Sequence, residues 1–317
     1  MVRIPGGEFT MGTDKGFPFE GPPHRVVLSP YWLDETEVTN AQFARFVEAA
    51  GRRTTAEELG NSGVFWPSKH GWELVEGADW RHPEGKGSSI DDRQDHPVVH
   101  LSWDDAAAYC KWAGKRLPTE AEFEFAARGG LEGAEFAWGD ELNPQGQFRA
   151  NTWQGVFPEA DQAEDGFSGV APVRSFAPNG YGLYDMTGNV WEWVHDWYDP
   201  EYYSKSPTKN PKGPSEGRQK VQRGGSWLCS TNYCQGYRVA SRMQTDRDSG
   251  LNNLGFRCAA DLDDAGRAAR TAAARRACAP RPRAAPASTP SASPACRRRS
   301  SGRQVPAPAI ARPSCRS

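Results

Sequence analysis

Two kinds of residue are missing from the final segment of the chain. No Asp or Glu follows Asp264, and no Trp, Tyr or Phe follows Asp261. Residues 262–317 are built mainly from Ala, Arg, Pro and Ser, and they include twelve arginines. Such a segment lacks the aromatic anchors of a packed core, so we predict a disordered tail at 262–317. The folded domain is then predicted to be residues 1–261.

Long apolar runs and a secretory segment are also missing. No run approaches the roughly 18 residues that a membrane-spanning helix needs. The chain passes from Met1 directly into Val2-Arg3-Ile4-Pro5, without an apolar leader. We therefore expect a soluble, cytoplasmic protein with no membrane partner. Only four cysteines precede the tail, too few for a scaffold of this size built on disulfides: Cys110, Cys229, Cys234 and Cys258.

The net charge of −2 hides an asymmetry. Without the twelve tail arginines, 26 basic and 40 acidic residues remain, all of them at or before Asp264. An acidic domain argues against nucleic acid as its main partner.

Three short helices are signalled by their caps. They begin after Thr39, Ser102 and Thr119, which match N-cap or capping-box patterns. Glycines close them at Gly51, Gly114 and Gly129. Short β-branched and aromatic runs, such as Val26–Leu28 and Tyr31–Leu33, predict strands. Residues 52–95 are predicted to form long ordered loops held by Trp66, Trp72 and Trp80. The class is therefore α+β with a large irregular fraction.

Three further patterns are candidate ligand sites. His96 and His100 have helical metal-ligand spacing, but Pro97 lies between them, so buried or turn histidines are favoured. The segment from Asn151 to Phe167 presents oxygen ligands of the kind that hard cations prefer, although without EF-hand spacing. Glu192 stands among aromatic residues, so either a cation or a dense set of backbone donors must compensate its charge.

Cys229 and Cys234 are the strongest chemical candidates. Two thiolates are soft ligands that select Cu(I), whereas zinc normally requires four ligands. An ordinary local disulfide is an equally good interpretation of their spacing alone.

Motifs from both ends of the domain together resemble the formylglycine-generating enzyme (sulfatase-modifying factor) family. They are Ile4-Pro-Gly-Gly-Glu-Phe, Trp112-Ala-Gly-Lys-Arg-Leu-Pro-Thr-Glu-Ala-Glu, Gly188-Asn-Val-Trp-Glu-Trp, Arg223-Gly-Gly-Ser and Asn253-Leu-Gly-Phe-Arg. A narrower signal is the run from Ser226 to Cys234, with Arg242 thirteen residues after Cys229. The resemblance implies a compact fold related to C-type lectins, with little regular secondary structure.

The resemblance also implies site residues. Cys229 and Cys234 match a catalytic pair that binds Cu(I), and four residues match its surroundings: Ser226, Trp193, Tyr233 and Arg242. The residues that match one Ca²⁺ site are Asn151, Thr152, Asp165 and Phe167. Those that match a second, which would supply the cation for Glu192, are Thr187, Gly188, Val190 and Glu192. Two positions that are a disulfide in some relatives are here Ala127 and Val239. Cys110 and Cys258 match another pair, which forms either a disulfide or two buried thiols, and in a reducing cytoplasm the thiols are favoured.

The implied activity is copper-dependent, O₂-using oxidation of a cysteine to Cα-formylglycine, which activates a sulfatase. The implied partner is an unfolded or nascent sulfatase with a Cys-x-Pro-x-Arg segment, and the enzyme is expected to act as a monomer. Ser226 would hydrogen-bond near the oxygen site, and Arg242 would orient the site or an extended peptide. The alternatives are an iron-dependent sulfoxide synthase, for which the chain lacks the histidine-rich accessory domain, and a non-catalytic lectin-like binding module.

Overall fold

A computed structural model describes residues 1–262 of the chain, so the predicted tail lies outside the described residues apart from Leu262. The strands are β1 Val2–Ile4, β2 Gly7–Met11, β3 His24–Leu28, β4 Tyr31–Leu33, β5 Asn61–Trp66, β6 Gly71–Glu76, β7 Trp191–Trp197, β8 Gln219–Arg223, β9 Arg242–Asp246, β10 Leu254–Gly255 and β11 Ala259–Asp261. The helices are α1 Asn40–Ala50, α2 Thr55–Leu59, α3 Trp103–Trp112 and α4 Glu120–Arg128.

A three-stranded sheet joins the two ends of the domain. Its order is β1-β4-β11, with both pairs antiparallel, so Leu33 lies between Val2 and Ala259. β2 and β3 form a separate antiparallel hairpin. The first and last strands of the domain therefore lie in one sheet, on either side of β4.

The central sheet has the order β10-β7-β8-β9. β10 is parallel to β7, whereas β8 is antiparallel to both of its neighbours. The register of β7 on β8 shifts between Trp193 and Trp197. β8 leads at Arg223 into the segment that carries Cys229 and Cys234, so this sheet positions the predicted site.

The three predicted helices are confirmed together with their N-caps. Thr39, Ser102 and Thr119 each complete a capping box, and Gly51 and Gly129 adopt the left-handed conformation that ends α1 and α4. α3 ends at Trp112, and Gly114 follows with a φ of 72°.

The prediction of long loops over residues 52–95 is wrong in its first half. That half contains α2 and the β5–β6 hairpin. The signal for α2 was present, since Thr54 and Glu57 form a capping box and Gly60 ends the helix. Phe65 and Trp72 face each other across the hairpin as an aromatic pair, with ring centroids 5.6 Å apart.

The hydrophobic core consists of two main clusters. One packs α4 against β1 to β4 and includes Ala127 and Val239, so the positions of the missing disulfide are filled by apolar packing. The other packs α1 and α3 against β7 and β10, and it includes Trp193 together with Cys110, Cys229 and Cys258.

The expectation of two free thiols at Cys110 and Cys258 is wrong in this structure. The two residues form a disulfide across 148 positions, with their Cα atoms 5.6 Å apart. Both are fully buried where α3 meets the segment before β11, so the fold itself places them at bonding distance.

The observed architecture confirms the predicted α+β class with limited regular secondary structure. Short strands in small sheets are joined by long, ordered irregular segments. No helix within residues 1–262 is both long enough and apolar enough to cross a membrane.

Candidate active site

The loop that carries the cysteines is shaped by two glycines. Gly224 and Gly225 follow β8 directly with φ values of 93° and 75°, a region that L side chains rarely adopt. A Cβ on Gly225 would lie 2.5 Å from the backbone carbon of Gly236. Two backbone segments therefore meet here more closely than any side chain would permit, and the loop from Ser226 to Gly236 closes on itself.

Cys229 and Cys234 lie together in this loop as a disulfide, with Cα atoms 5.2 Å apart. Cys229 is fully buried, whereas Cys234 is partly exposed. The separation allows both sulfur atoms of the reduced pair to reach one soft metal ion. The donor set therefore fits Cu(I).

Ser226 contacts the cysteine pair directly. Its backbone N–H donates to Cys229 Sγ at 3.4 Å, a contact that stabilises a thiolate. Its hydroxyl oxygen accepts hydrogen bonds from Asn253 Nδ2 at 3.0 Å and from the Leu228 N–H at 3.3 Å. Asn253 was not predicted as a site residue, although the motif that begins there could have identified it.

Trp193 and Tyr233 have different environments. Trp193 is fully buried, and its indole N–H donates to the Leu101 carbonyl at 2.9 Å. Tyr233 is 49% exposed and stacks on Phe157 with ring centroids 4.1 Å apart. Trp193 thus supports the site from within the core, while Tyr233 presents a ring beside Cys234 at the surface.

Arg242 lies at the start of β9 in a buried ion pair. Its guanidinium donates to both carboxylate oxygens of Glu120, at 2.7 and 2.8 Å. Burial acts to lower the pKa of Arg242, but the Glu120 carboxylate outweighs it and raises that pKa above its ordinary value. Because only 1% of Arg242 is exposed, it cannot contact a peptide. Its place in the structure is to fix β9 against α4.

The first predicted calcium set comes together around Asp165. One carboxylate oxygen accepts from the Thr152 N–H at 2.9 Å, and the other accepts from the Phe167 N–H at 3.0 Å. The side-chain amide nitrogen of Gln154 donates to this carboxylate and to the Thr152 carbonyl, so two of the predicted oxygen ligands converge on one point. Asn151 Oδ1 is buried without a hydrogen-bond partner. This donor set fits a hard cation.

The second predicted set adjoins the first. The Asn189 N–H donates to the Asn151 carbonyl at 2.9 Å, and the Gly188 N–H donates to the Gly224 carbonyl at 2.8 Å. The turn that contains Thr187, Gly188 and Val190 therefore ties the first calcium set to the cysteine loop.

Glu192 has a charged partner within the protein. The Glu192 carboxylate is held by the Arg257 guanidinium, with Nη2 2.7 Å and Nε 2.8 Å from its oxygens, so a side-chain cation neutralises it. A second carboxyl group, that of Glu37, is buried nearby; its Oε2 lies 3.9 Å from Arg257 Nη2 and has no hydrogen-bond partner. Burial, together with the neighbouring Asp185, raises the pKa of Glu37 well above its ordinary value. The surroundings of Glu192 therefore fit a further cation, although Glu192 itself does not require one.

The histidines are structural, as expected. Both ring nitrogens of His100 are engaged, by Ser62 Oγ at 2.7 Å and the Pro83 carbonyl at 2.9 Å. Burial lowers the pKa of His100 to about 4, so this ring is neutral at pH 7. No group of three or more His, Cys, Asp or Glu side chains within residues 1–262 is arranged to hold a metal. Calcium at either predicted set would thus depend on carbonyl oxygens.

Comparison with known proteins identifies the family. The domain description "Sulfatase-modifying factor enzyme 1-like domain" matches residues 1–262. The formylglycine-generating enzyme of Streptomyces coelicolor is 54% identical over 281 residues, which cover 83% of this chain and 90% of that protein. The mouse formylglycine-generating enzyme is 50% identical over 82% of this chain and 75% of its own length. A mouse relative described as inactive C-alpha-formylglycine-generating enzyme 2 is 44% identical, over 82% of this chain and 85% of its own.

Solved structures confirm the fold. PvdO from Pseudomonas aeruginosa aligns with a TM-score of 0.65 and 26% identity, over 82% of this chain and 94% of its own. CarF aligns with a TM-score of 0.52 and 21% identity, over 83% of this chain and 98% of its own.

The chain therefore belongs to the formylglycine-generating enzyme family and is an enzyme of the class that its sequence predicts.

Proposed function

We propose that the protein oxidises a cysteine of a sulfatase to Cα-formylglycine, with O₂ as the oxidant and copper as the cofactor. The observation that supports this most directly is the pairing of Cys229 with Cys234 in the glycine-shaped loop, one buried and one partly exposed. A purely structural loop would not need a soft donor pair that opens to the surface. A relative described as inactive is 44% identical to this chain, so membership of the family does not by itself support catalysis. The proposal therefore rests on the cysteine pair.

Cys229 and Cys234 would hold the copper ion. When bound, Cu(I) supplies a soft, redox-active centre for oxidation by O₂. In the overall reaction the C–S bond of the substrate cysteine breaks, its Cβ is oxidised by two electrons to the aldehyde carbon, and the sulfur leaves as H₂S. O₂ takes up these two electrons and two more from an external thiol reductant, which becomes a disulfide, and its second oxygen atom ends as water.

The protein's own residues position the reactants. The Ser226 hydroxyl oxygen already accepts two hydrogen bonds, from Asn253 and Leu228. Its own proton is therefore free to be donated towards the reacting atoms. The exposed ring of Tyr233 provides a flat wall beside Cys234 for an extended peptide. Trp193 closes the site from the core side and excludes water there.

Calcium is proposed as a structural ion at the two adjacent sets. Asn151, Thr152, Asp165 and Phe167 would hold one ion, and Thr187, Gly188, Val190 and Glu192 a second. The unpartnered Asn151 Oδ1 and Glu37 Oε2 support cations in this region. Their proposed role is to stiffen the turn that is hydrogen-bonded to Gly224.

The proposed partner is an unfolded or nascent sulfatase that presents Cys-x-Pro-x-Arg. We further propose a monomeric enzyme that acts in the cytoplasm, without nucleic acid or membrane as a partner. The acidic character of the domain supports the recognition of a motif that ends in Arg.

The test uses the reduced full chain, loaded with Cu(I) and mixed in air with a Cys-x-Pro-x-Arg peptide. Mass spectrometry should show the mass decrease of cysteine converted to formylglycine, and a copper-free sample is the control. Copper binding without conversion would assign the pair to another thiol substrate. Absence of copper binding would support a non-catalytic binding module.

A further inference from the structure

The cysteine loop, residues 226–236, is hydrogen-bonded to a neighbouring segment, residues 153–157. The Trp153 N–H donates to the Cys229 carbonyl at 3.0 Å. Between the two cysteines, the Asn232 side chain contacts both backbone groups of Phe157. Its Oδ1 accepts from the Phe157 N–H at 3.1 Å, and its Nδ2 donates to the Phe157 carbonyl at 3.0 Å. The Asn232 amide thus pairs with Phe157 much as an opposite residue in an antiparallel sheet would.

The Asn232 side chain has a defined orientation in this contact. A carbonyl oxygen accepts and an amide NH₂ donates, so only one of the two orientations of the amide satisfies both Phe157 groups. The Ser230 hydroxyl also donates to Asn232 Oδ1, at 2.8 Å, and supports that orientation. An apolar side chain at position 232 would lose both contacts with Phe157.

No second hydrogen bond duplicates this contact. Within residues 1–262, every hydrogen bond from residues 230–233 to a partner outside the cysteine loop goes to Phe157. The other bonds of this stretch are internal to the loop. The Tyr233 N–H donates to the Ser230 carbonyl at 3.3 Å, and the Gln235 side chain donates to the Thr231 carbonyl at 2.9 Å. Asn232 therefore fixes where the stretch between the cysteines lies on the domain.

Phe157 also supports the exposed ring of Tyr233. The two rings stack with their centroids 4.1 Å apart and their planes 12° apart. Phe157 in turn packs on the buried rings of Phe65 and Trp153, with centroids 5.2 Å from each. Tyr233 is thus the outer layer of a ring cluster that begins in the core. Because Asn232 and Tyr233 are adjacent in sequence, the pairing of Asn232 with the Phe157 backbone sets how the two rings stack.

The sulfur atoms of the pair are held by other groups. Cys229 is fully buried, and its Sγ accepts from the Ser226 N–H. Cys234 packs against the core cluster that contains Trp193. The bonds from Asn232 to Phe157 are exposed, so water can replace them without loss of the fold. Loss of the Asn232 side chain should therefore displace the Tyr233 ring more than the cysteine pair.

We propose that Asn232 is a positioning residue for the substrate polypeptide. By pairing with the Phe157 backbone, it holds the Tyr233 ring in place beside Cys234, and it thereby sets the affinity for the peptide and not the rate of oxidation. The inference rests on the proposed function for the contact between Tyr233 and the peptide.

The first experiment measures binding without chemistry. The probe is a Ser-x-Pro-x-Arg peptide, with serine in place of the target cysteine, and its Kd is determined by calorimetry on the full chain without copper. Asn232→Ala and Tyr233→Ala should each weaken binding by about 2- to 10-fold. The double variant should bind no more weakly than Tyr233→Ala, because Asn232 acts through that ring.

Thr231→Ala is the matched control. Thr231 is exposed in the same loop, and its side chain makes no hydrogen bond within residues 1–262. This variant should bind the peptide like the wild type. Hydrogen exchange of residues 230–235 should be faster in Asn232→Ala than in the wild type and unchanged in Thr231→Ala. The proposal is overturned if Asn232→Ala binds like the wild type, or if its effect on the Kd persists in full when Tyr233 is already Ala.

A second experiment separates this proposal from the proposed function. With copper and the cysteine-containing peptide, Asn232→Ala should raise KM by the same factor as the Kd and leave kcat unchanged. A lower kcat at saturating peptide, with KM unchanged, would overturn the positioning role while the oxidation stands. If the wild type forms no formylglycine but the Kd values follow the expected pattern, the oxidation is overturned and the positioning role stands.

Discussion

The two disulfides of the domain differ in almost every physical respect. Cys110–Cys258 joins residues 148 apart, and both sulfurs are fully buried between α3 and the end of the domain. Cys229–Cys234 joins residues five apart in a surface loop, with Cys234 partly exposed. The first bridge restricts the unfolded chain strongly, and the second restricts it little. The Cys110–Cys258 disulfide thus stabilises the fold, whereas the Cys229–Cys234 disulfide contributes less to stability and remains accessible for chemistry.

Their surroundings repeat this difference. Next to Cys258, Arg257 is fully buried and its guanidinium is saturated by Glu192 and the Tyr184 and Asp185 carbonyls. Next to Cys229, the Ser226 hydroxyl keeps a free proton. Complete hydrogen bonding marks the structural bridge, and residual hydrogen-bonding capacity marks the candidate active site.

The largest expected effect is on activity. Cys229→Ser and Cys234→Ser should each abolish formylglycine formation, because a single thiolate cannot replace the soft pair. Cys110→Ser should retain turnover at a temperature at which it is folded. Mass spectrometry of the peptide product measures activity, and circular dichroism verifies folding. Turnover that survives in Cys229→Ser would contradict the assignment of this pair.

The next effect is on stability. In the chain-entropy description, loss of the Cys110–Cys258 bridge costs about 5 kcal/mol, and loss of the Cys229–Cys234 bridge about 2 kcal/mol. Thermal unfolding of the double variants Cys110→Ala/Cys258→Ala and Cys229→Ala/Cys234→Ala should therefore rank them in that order. Equal losses would show that the two bridges do not differ in this way. Thiol titration of the wild type under non-reducing conditions should find neither pair free.

The third effect appears only as a change with pH and concerns β7, which pairs with both β8 before the cysteine loop and β10 before Cys258. Burial, with the charge of Glu120, raises the pKa of Asp196 on this strand to about 8. The folded state therefore keeps this proton at neutral pH while the unfolded state, with a pKa of about 4, releases it. Stability should fall as pH rises from about 4 to 8, by up to about 1.4 kcal/mol per unit.

Asp196→Asn tests this directly. The variant cannot ionise, so its free energy of unfolding, measured in urea at several pH values, should lose that part of the slope. Unchanged pH dependence would assign the slope to other groups. Activity at pH 7 should be unaffected, since Asp196 lies within the sheet and does not contact the cysteine loop.

Local signals predicted the parts of the fold that depend on neighbouring residues. Capping boxes located α1, α3 and α4, because an N-cap is satisfied within three residues. Thr54 carries the same signal for α2, whereas the β5–β6 hairpin lies in a stretch whose Gly, Pro and Trp content favours a prediction of loops. The glycines at 224 and 225 permit a close backbone approach, but its partner, Gly236, is identified only by the structure.

The fold class, the family and the cysteine pair could be predicted from short motifs in the sequence. Which buried groups neutralise or hydrogen-bond one another became known from the structure alone. Arg257 neutralises Glu192 across 65 positions, Asn253 supports Ser226, and Arg242 is buried on Glu120 away from any peptide. The structure also joined Cys110 to Cys258. Charge compensation and hydrogen bonding in a core join residues distant in sequence, and no local pattern encodes those pairs.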